Sequence, residues 1–157
     1  MEPQRQTPRA LHDEHRATLA LYGRLEQALA TRDRDAVAKL APAMVRHLSE
    51  EIGRHLDFEE AELFPRLADA GEGDIAALLA DEHAAIREVA AEALPLFETV
   101  RQGADPFAQT RMRMVALELV ERQIAHIQKE SMALLPLLDE LLDDETDREL
   151  AFAYSVA

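Results

Sequence analysis

Cysteine is absent from this 157-residue chain, which excludes disulfides, thiolate metal sites, iron–sulfur clusters and cysteine nucleophiles. Glycine and proline are scarce, at 5 and 7 residues; with Ala, Leu, Glu and Arg abundant, this is a helical composition. No apolar run of roughly 18 residues occurs, and the N-terminal MEPQRQTPRA has no apolar signal core, so neither a membrane span nor a secretory leader is read. A soluble, cytoplasmic protein is expected. Basic excess is lacking too. The net charge of −14 argues against nucleic acid or anionic membrane as partner, because both demand a basic face. The length suits one domain with a single sizeable core.

Helix signals divide the chain into four long segments. The first opens at Thr7-Pro8, read as an N-cap followed by proline at the first helical position, and runs to about Ala30. A polar turn at 31–35 leads to a second helix reaching about Ala70, with a kink or break predicted at Pro42. Gly71-Glu-Gly-Asp74 is a stop; Asp74 is predicted to cap a third helix that extends to about Gln102. Gly103-Ala-Asp-Pro106 is the last break, with Asp105 capping a fourth helix to about Leu142. Pro95 and Pro136 fall inside helical segments and are predicted to bend or end them. The expected fold is all-α: an antiparallel up-down-up-down four-helix bundle with an internal two-helix repeat. One domain is expected over 1–157, with its core at about 8–142 and a tail, 143–157, that forms a short fifth helix.

The repeat is written in the motifs. His-x-x-x-Glu occurs as His55…Glu59 and His126…Glu130, 71 residues apart, each followed by an apolar pair and a proline, Leu63-Phe64-Pro65 and Leu134-Leu135-Pro136. Asp-Glu-His precedes each copy, ending at His15 and His83, 68 residues apart. Spacings of three and four place these residues on apolar stripes. His15 shares a face with Leu11, Tyr22 and Leu25; His55 and Glu59 with Ile52 and Leu63; His83 with Leu79 and Ile86; His126 and Glu130 with Leu119 and Leu134.

A carboxylate buried without a partner costs several kcal/mol or neutralises itself, and no Lys or Arg shares the stripes of Glu59 and Glu130. A divalent metal resolves this, since imidazole and carboxylate are its natural ligands. One buried histidine is usually a hydrogen-bonded core residue, and one His-x-x-x-Glu is usually an i,i+4 pair. Two copies in register with two more core histidines favour a site for two metal ions.

With those residues in hand, the chain resembles the hemerythrin-like, HHE cation-binding domains, over roughly residues 8–142. The motifs that carry the resemblance are Asp-Glu-His15, His55-Leu-Asp-Phe-Glu59-Glu-Ala-Glu-Leu-Phe-Pro65, Asp-Glu-His83 and His126-Ile-Gln-Lys-Glu130. The resemblance implies a four-helix bundle around two non-haem iron ions (Fe2+/Fe3+) with oxo, hydroxo or carboxylate bridges. It implies His15 and His55 on one iron, His83 and His126 on the other, and Glu59 and Glu130 bridging them. Ferritin-like proteins use Glu-x-x-His, which no histidine here satisfies. Oxygen-carrying hemerythrins have a further histidine one turn after the third-helix histidine; Arg87 stands there in this chain.

Neighbouring residues admit two readings each. His12 is a solvated helix-end histidine or a further ligand; His47 is structural or exposed at the rim; Glu62 is a surface acid or an extra ligand; Tyr22 packs in the core or bonds a ligand. The expected function is a di-iron module that binds or senses O2, NO or peroxide, or reports iron or redox state. A di-iron oxidoreductase acting on peroxide or nitric oxide is the alternative, and a metal-free interaction domain the third reading. Output is expected through a homo-oligomer or a separate protein, with the apolar tail 151–157 either making that contact or packing over the open bundle end.

Overall fold

The computed structural model describes residues 2–101 and 105–157, Arg101 by its backbone alone. Every regular element among them is helical. Helix α1 spans Gln6–Ala30. Helices α2 (Arg34–Arg46), α3 (Ile52–Phe58) and α4 (Phe64–Asp69) run on through π-helical turns at His47–Glu51 and Glu59–Leu63. Helix α5 spans Gly73–Arg101; α6 (Pro106–Lys129) and α7 (Leu135–Leu141) are joined by a π-helical turn at Glu130–Leu134; α8 is Asp144–Val156. Helix α5 packs on α6, α2 and α4, and α1 packs on α2, α6, α7 and α8. The result is a helical bundle.

Most ends follow local chemistry. The side chains of Asp33, Asp105 and Asp143 accept from the backbone N–H groups of Ala36, Ala108 and Thr146, at 3.0, 2.9 and 2.7 Å, satisfying N-terminal donors that a helix leaves open. Gly71 takes φ 89° after α4, a conformation that costs glycine nothing. Asp74 lies within the first turn of α5, which starts at Gly73. Gln102, the expected end of the third helix, and Gly103 and Ala104 lie outside the described residues.

Three expectations need correction: a cap at Asp74, a cap at Thr7 and a break at Pro42. Helix α1 begins at Gln6, so Thr7 is not its N-cap; Arg5 holds that place and its side chain caps nothing. The open donors go instead to Asp147 of α8, which accepts from the N–H groups of Gln6 and Thr7, both at 2.8 Å. Pro42 lies inside α2 without ending it, as Pro95 does in α5. The other repeated prolines act differently. Pro65 and Pro136 occupy the second residue of α4 and α7, immediately past a π-helical turn that Glu59 or Glu130 opens. A proline has no N–H and its ring crowds the carbonyl four residues back, here that of Ala61 or Met132. A widened turn relieves that crowding.

The core falls into two apolar clusters. One joins Leu21, Leu25, Met44, Ile52, Ile86, Phe97, Leu119 and their neighbours; the other joins Leu11, Phe58, Leu63, Leu79, Leu134 and Leu138 to Leu150 and Tyr154 of α8. The tail thus packs on the bundle, leaving Phe152 and Val156 exposed. Along α1, α5 and α6, the residues separating the two clusters include His15, His83 and His126. That boundary is where polar chemistry sits.

Candidate metal centre

Histidine and glutamate converge there from four helical runs: His15 from α1, His55 from α3, Glu59 from the turn behind it, His83 from α5, His126 from α6 and Glu130 from the turn behind that. All six are buried, Glu59, His83 and Glu130 completely. The Nε2 atoms of His55 and His126 close onto Glu59 Oε1 and Glu130 Oε1, their i+4 partners. Nε2 of His15 is 3.9 Å from Glu130 Oε1, and Nε2 of His83 is 4.0 Å from Glu59 Oε2 and 3.1 Å from His126 Nε2. Ligand atoms of His15, His55, Glu59 and Glu130 lie within 4.8 Å of one another, as do those of His83, His126 and Glu130. Glu130 therefore belongs to both groups. Glu59 belongs to the first and reaches the second only through its distance to His83.

Close approach is not satisfaction. Both oxygens of Glu59 and of Glu130, both ring nitrogens of His15 and Nδ1 of His83 are buried without a hydrogen-bond partner. Buried polar atoms are nearly always paired, and leaving carboxylates orphaned costs several kcal/mol. Imidazole and carboxylate donors orphaned together fit divalent cations of the first transition row.

The family model of the hemerythrin HHE cation binding domain matches residues 7–138. The chain belongs to that family. No curated protein and no solved structure matches it.

Around this hemerythrin-type cluster stands a second layer that the motifs contained unread. The middle residue of each Asp-Glu-His tripeptide serves a histidine on another helix. Glu82 Oε1 accepts from His126 Nδ1 at 2.8 Å, and Lys129 holds the other oxygen. Glu14 Oε1 lies 3.5 Å from His55 Nδ1 and is held by Arg54 at 3.1 Å. Carboxylates behind ligand histidines orient the ring and keep Nε2 free for a cation. Glu60 stands 3.8 Å from His83 Nδ1, beyond bonding reach, and is taken by Arg87 at 2.6 Å. Arg87 also binds Asp57 at 2.5 Å, so the residue at the extra-histidine position faces outward acids.

Charge within the hemerythrin-type cluster is divided. Burial pushes His15 down to about 4, with the positive His55 and His126 adding to the effect against Glu130. Burial likewise takes His83 to about 3, helped by His126 and Arg87. Burial opposes charge on His55 and His126 too, but Glu59 and Glu14 lift the first well above its ordinary value, and Glu130 and Glu82 raise the second. Of the carboxyl pair, burial and the charge of Glu130 push Glu59 well up. Glu130 is held low against its burial by the close approach of Glu59 and His126, with His15 adding to the effect.

The flanking residues resolve as follows. Glu62 is exposed, and His12 is half-buried and in neither ligand group. His47 is buried, not at the rim: Tyr22 Oη bonds its Nε2 at 2.7 Å and Glu51 lies 3.2 Å from its Nδ1. Tyr22 thus bonds His47, not a cluster residue. A cavity of about 20 Å³ opens between Thr18, His47, Gln123 and the cluster residues His15, His55, His126 and Glu130. A larger one, about 210 Å³, lies elsewhere, among Leu29, Arg32, Val37 and Met112, and touches none of the six.

Proposed function

We propose that this hemerythrin-family domain holds two non-haem iron ions and binds or senses a small molecule of one or two heavy atoms: O2, NO or peroxide. The observation that carries the reading is the set of orphaned buried donors, split into two groups that share Glu130. His15, His55 and Glu59 are the ligands of one ion, His83 and His126 those of the other, with Glu130 between. The four helical runs are taken as an antiparallel up-down-up-down bundle in which one two-helix unit is used twice. When bound, iron with open coordination positions supplies affinity for dioxygen-like ligands.

The chain's own residues do the rest. Glu82 holds the ring of His126 by a hydrogen bond to Nδ1, and Glu14 lies 3.5 Å from Nδ1 of His55. The two core clusters exclude water on either side. The cavity beside Thr18, His47 and Gln123, about 20 Å³, admits a water-sized or diatomic guest, given that one water needs roughly 10–15 Å³. An organic substrate is far too large for it, which favours binding or sensing over turnover of a metabolite.

The test is anaerobic loading with ferrous ion, an iron count, and visible spectra before and after air. Two ions per chain with a charge-transfer band that vanishes on degassing mean reversible binding. Irreversible oxidation points to a sensor or redox enzyme, and sustained turnover of peroxide or nitric oxide makes it an enzyme. Protein that holds only zinc after iron-replete expression sinks the iron assignment.

A further inference from the structure

Helix α8 delivers one phenol to the cluster. Tyr154 is buried, packs on Phe58 with centroids 4.6 Å apart and lies under the Arg54 guanidinium, 4.8 Å from its central carbon. Its hydroxyl donates to Glu14 Oε2. With that proton committed, the phenol oxygen is an acceptor, and His55 Nδ1 faces it at 3.0 Å. Arg54 fixes Glu14, Glu14 fixes Tyr154, and Tyr154 receives the His55 Nδ1 proton. Nδ1 keeps its proton and Nε2 is the ring's only lone pair for a cation.

The other half is built differently. His126 Nδ1 bonds the carboxylate of Glu82 with nothing between them. The chain has two tyrosines, and the second, Tyr22, is bonded to His47. A neutral phenol draws less on an imidazole N–H than a carboxylate does, so His55 and His126 are backed by different groups at Nδ1.

We propose that Tyr154 is a positioning residue: through His55 it sets the hold on the ion of the His15–His55 group alone, so that the two metal positions are unequal and the C-terminal helix is part of the metal site. This rests on the two-metal reading above. The Tyr154→Phe variant removes the phenol oxygen while leaving the ring to pack on Phe58 and under Arg54.

The experiment is anaerobic titration of the full chain with ferrous ion against a chelator, with Mössbauer spectra of the loaded protein, for wild type, Tyr154→Phe and Glu82→Gln. Wild type is expected to hold two ions with two distinct doublets. Tyr154→Phe is expected to weaken one ion by about tenfold and to move one doublet; Glu82→Gln is expected to weaken the other ion and move the other doublet. Circular dichroism of the metal-free variants checks the helices, and Glu14→Gln, which removes the charge that holds the phenol, repeats the Tyr154 effect if that variant folds poorly. Two ions bound with both affinities and both doublets unchanged in Tyr154→Phe, or both changed alike, overturn this proposal alone. Wild type that holds fewer than two ions overturns the two-metal reading and this inference with it.

Discussion

His47 shares a hydrogen bond with Tyr22 on one ring nitrogen and faces Glu51 on the other. Burial lowers its affinity for protons, against the pull of Glu51 and Glu14 and with the help of His55. A histidine whose folded value lies below its unfolded one contributes stability that is complete above the unfolded value, about 6.5, and is lost as pH falls towards the folded one. The thermal midpoint of wild type is expected to drop between about pH 7 and about pH 5, and that of His47→Gln to drop less. Equal drops in the two proteins count against His47 as a contributor. Sequence left this residue structural or exposed near the rim, and its burial and bond to Tyr22 favour the structural reading. His47 lies two turns before His55, and whether that position meets a neighbouring helix or solvent depends on the packing partner.

At the scale of elements, α1 and α8 complete each other. Helix α1 has no side-chain cap of its own, and Asp147 supplies both missing acceptors while Thr7 Oγ1 donates back to the Asp147 carbonyl at 2.9 Å. Charge-assisted bonds of this kind are worth about 1.5–3 kcal/mol. Replacing Asp147 by Ala is expected to lower unfolding stability by about 2 kcal/mol, measured by urea denaturation. A loss below about 0.5 kcal/mol means that water replaces the cap. The caps Asp33, Asp105 and Asp143 act locally, and Asp105, at a break marked by glycine and proline, is legible from the sequence. The Asp147 cap joins positions 140 residues apart and no local signal contains it. The same holds for the π-helical turns. The repeated prolines were visible, but at Pro136 the sequence suggested a bend or an end where the chain widens one turn and continues, as it does before Pro65.

For the whole molecule, the buried cluster is expected to make stability depend on cations. Metal-free protein keeps two buried carboxyls in contact and histidines of mixed charge, an arrangement that a divalent ion neutralises by displacing protons. Any ligand that binds only the folded state at a thousand times its Kd adds about 4 kcal/mol, so ferrous loading is expected to raise the thermal midpoint by roughly 10 °C, and chelation to reverse it. A midpoint indifferent to iron and chelator removes the cluster from the stability of the fold.

Helical periodicity by itself determined that the chain is all helix, that His15, His55, Glu59, His83, His126 and Glu130 share the stripes that face inward, and that they recur as one repeated pattern. Those are properties of single helices, and a period of about 3.6 residues writes them directly into spacing. Tertiary structure alone decided that Glu130 stands in both donor groups while Glu59 stands in one. It also decided that Glu14 and Glu82 back histidines on other helices, that His47 is buried, and that Tyr154 reaches His55 across 99 residues of chain. Each of these depends on how far one helix is slid and turned against its neighbour. That register is set by the fit of apolar side chains between helices, and the spacing of residues along any one helix does not contain it.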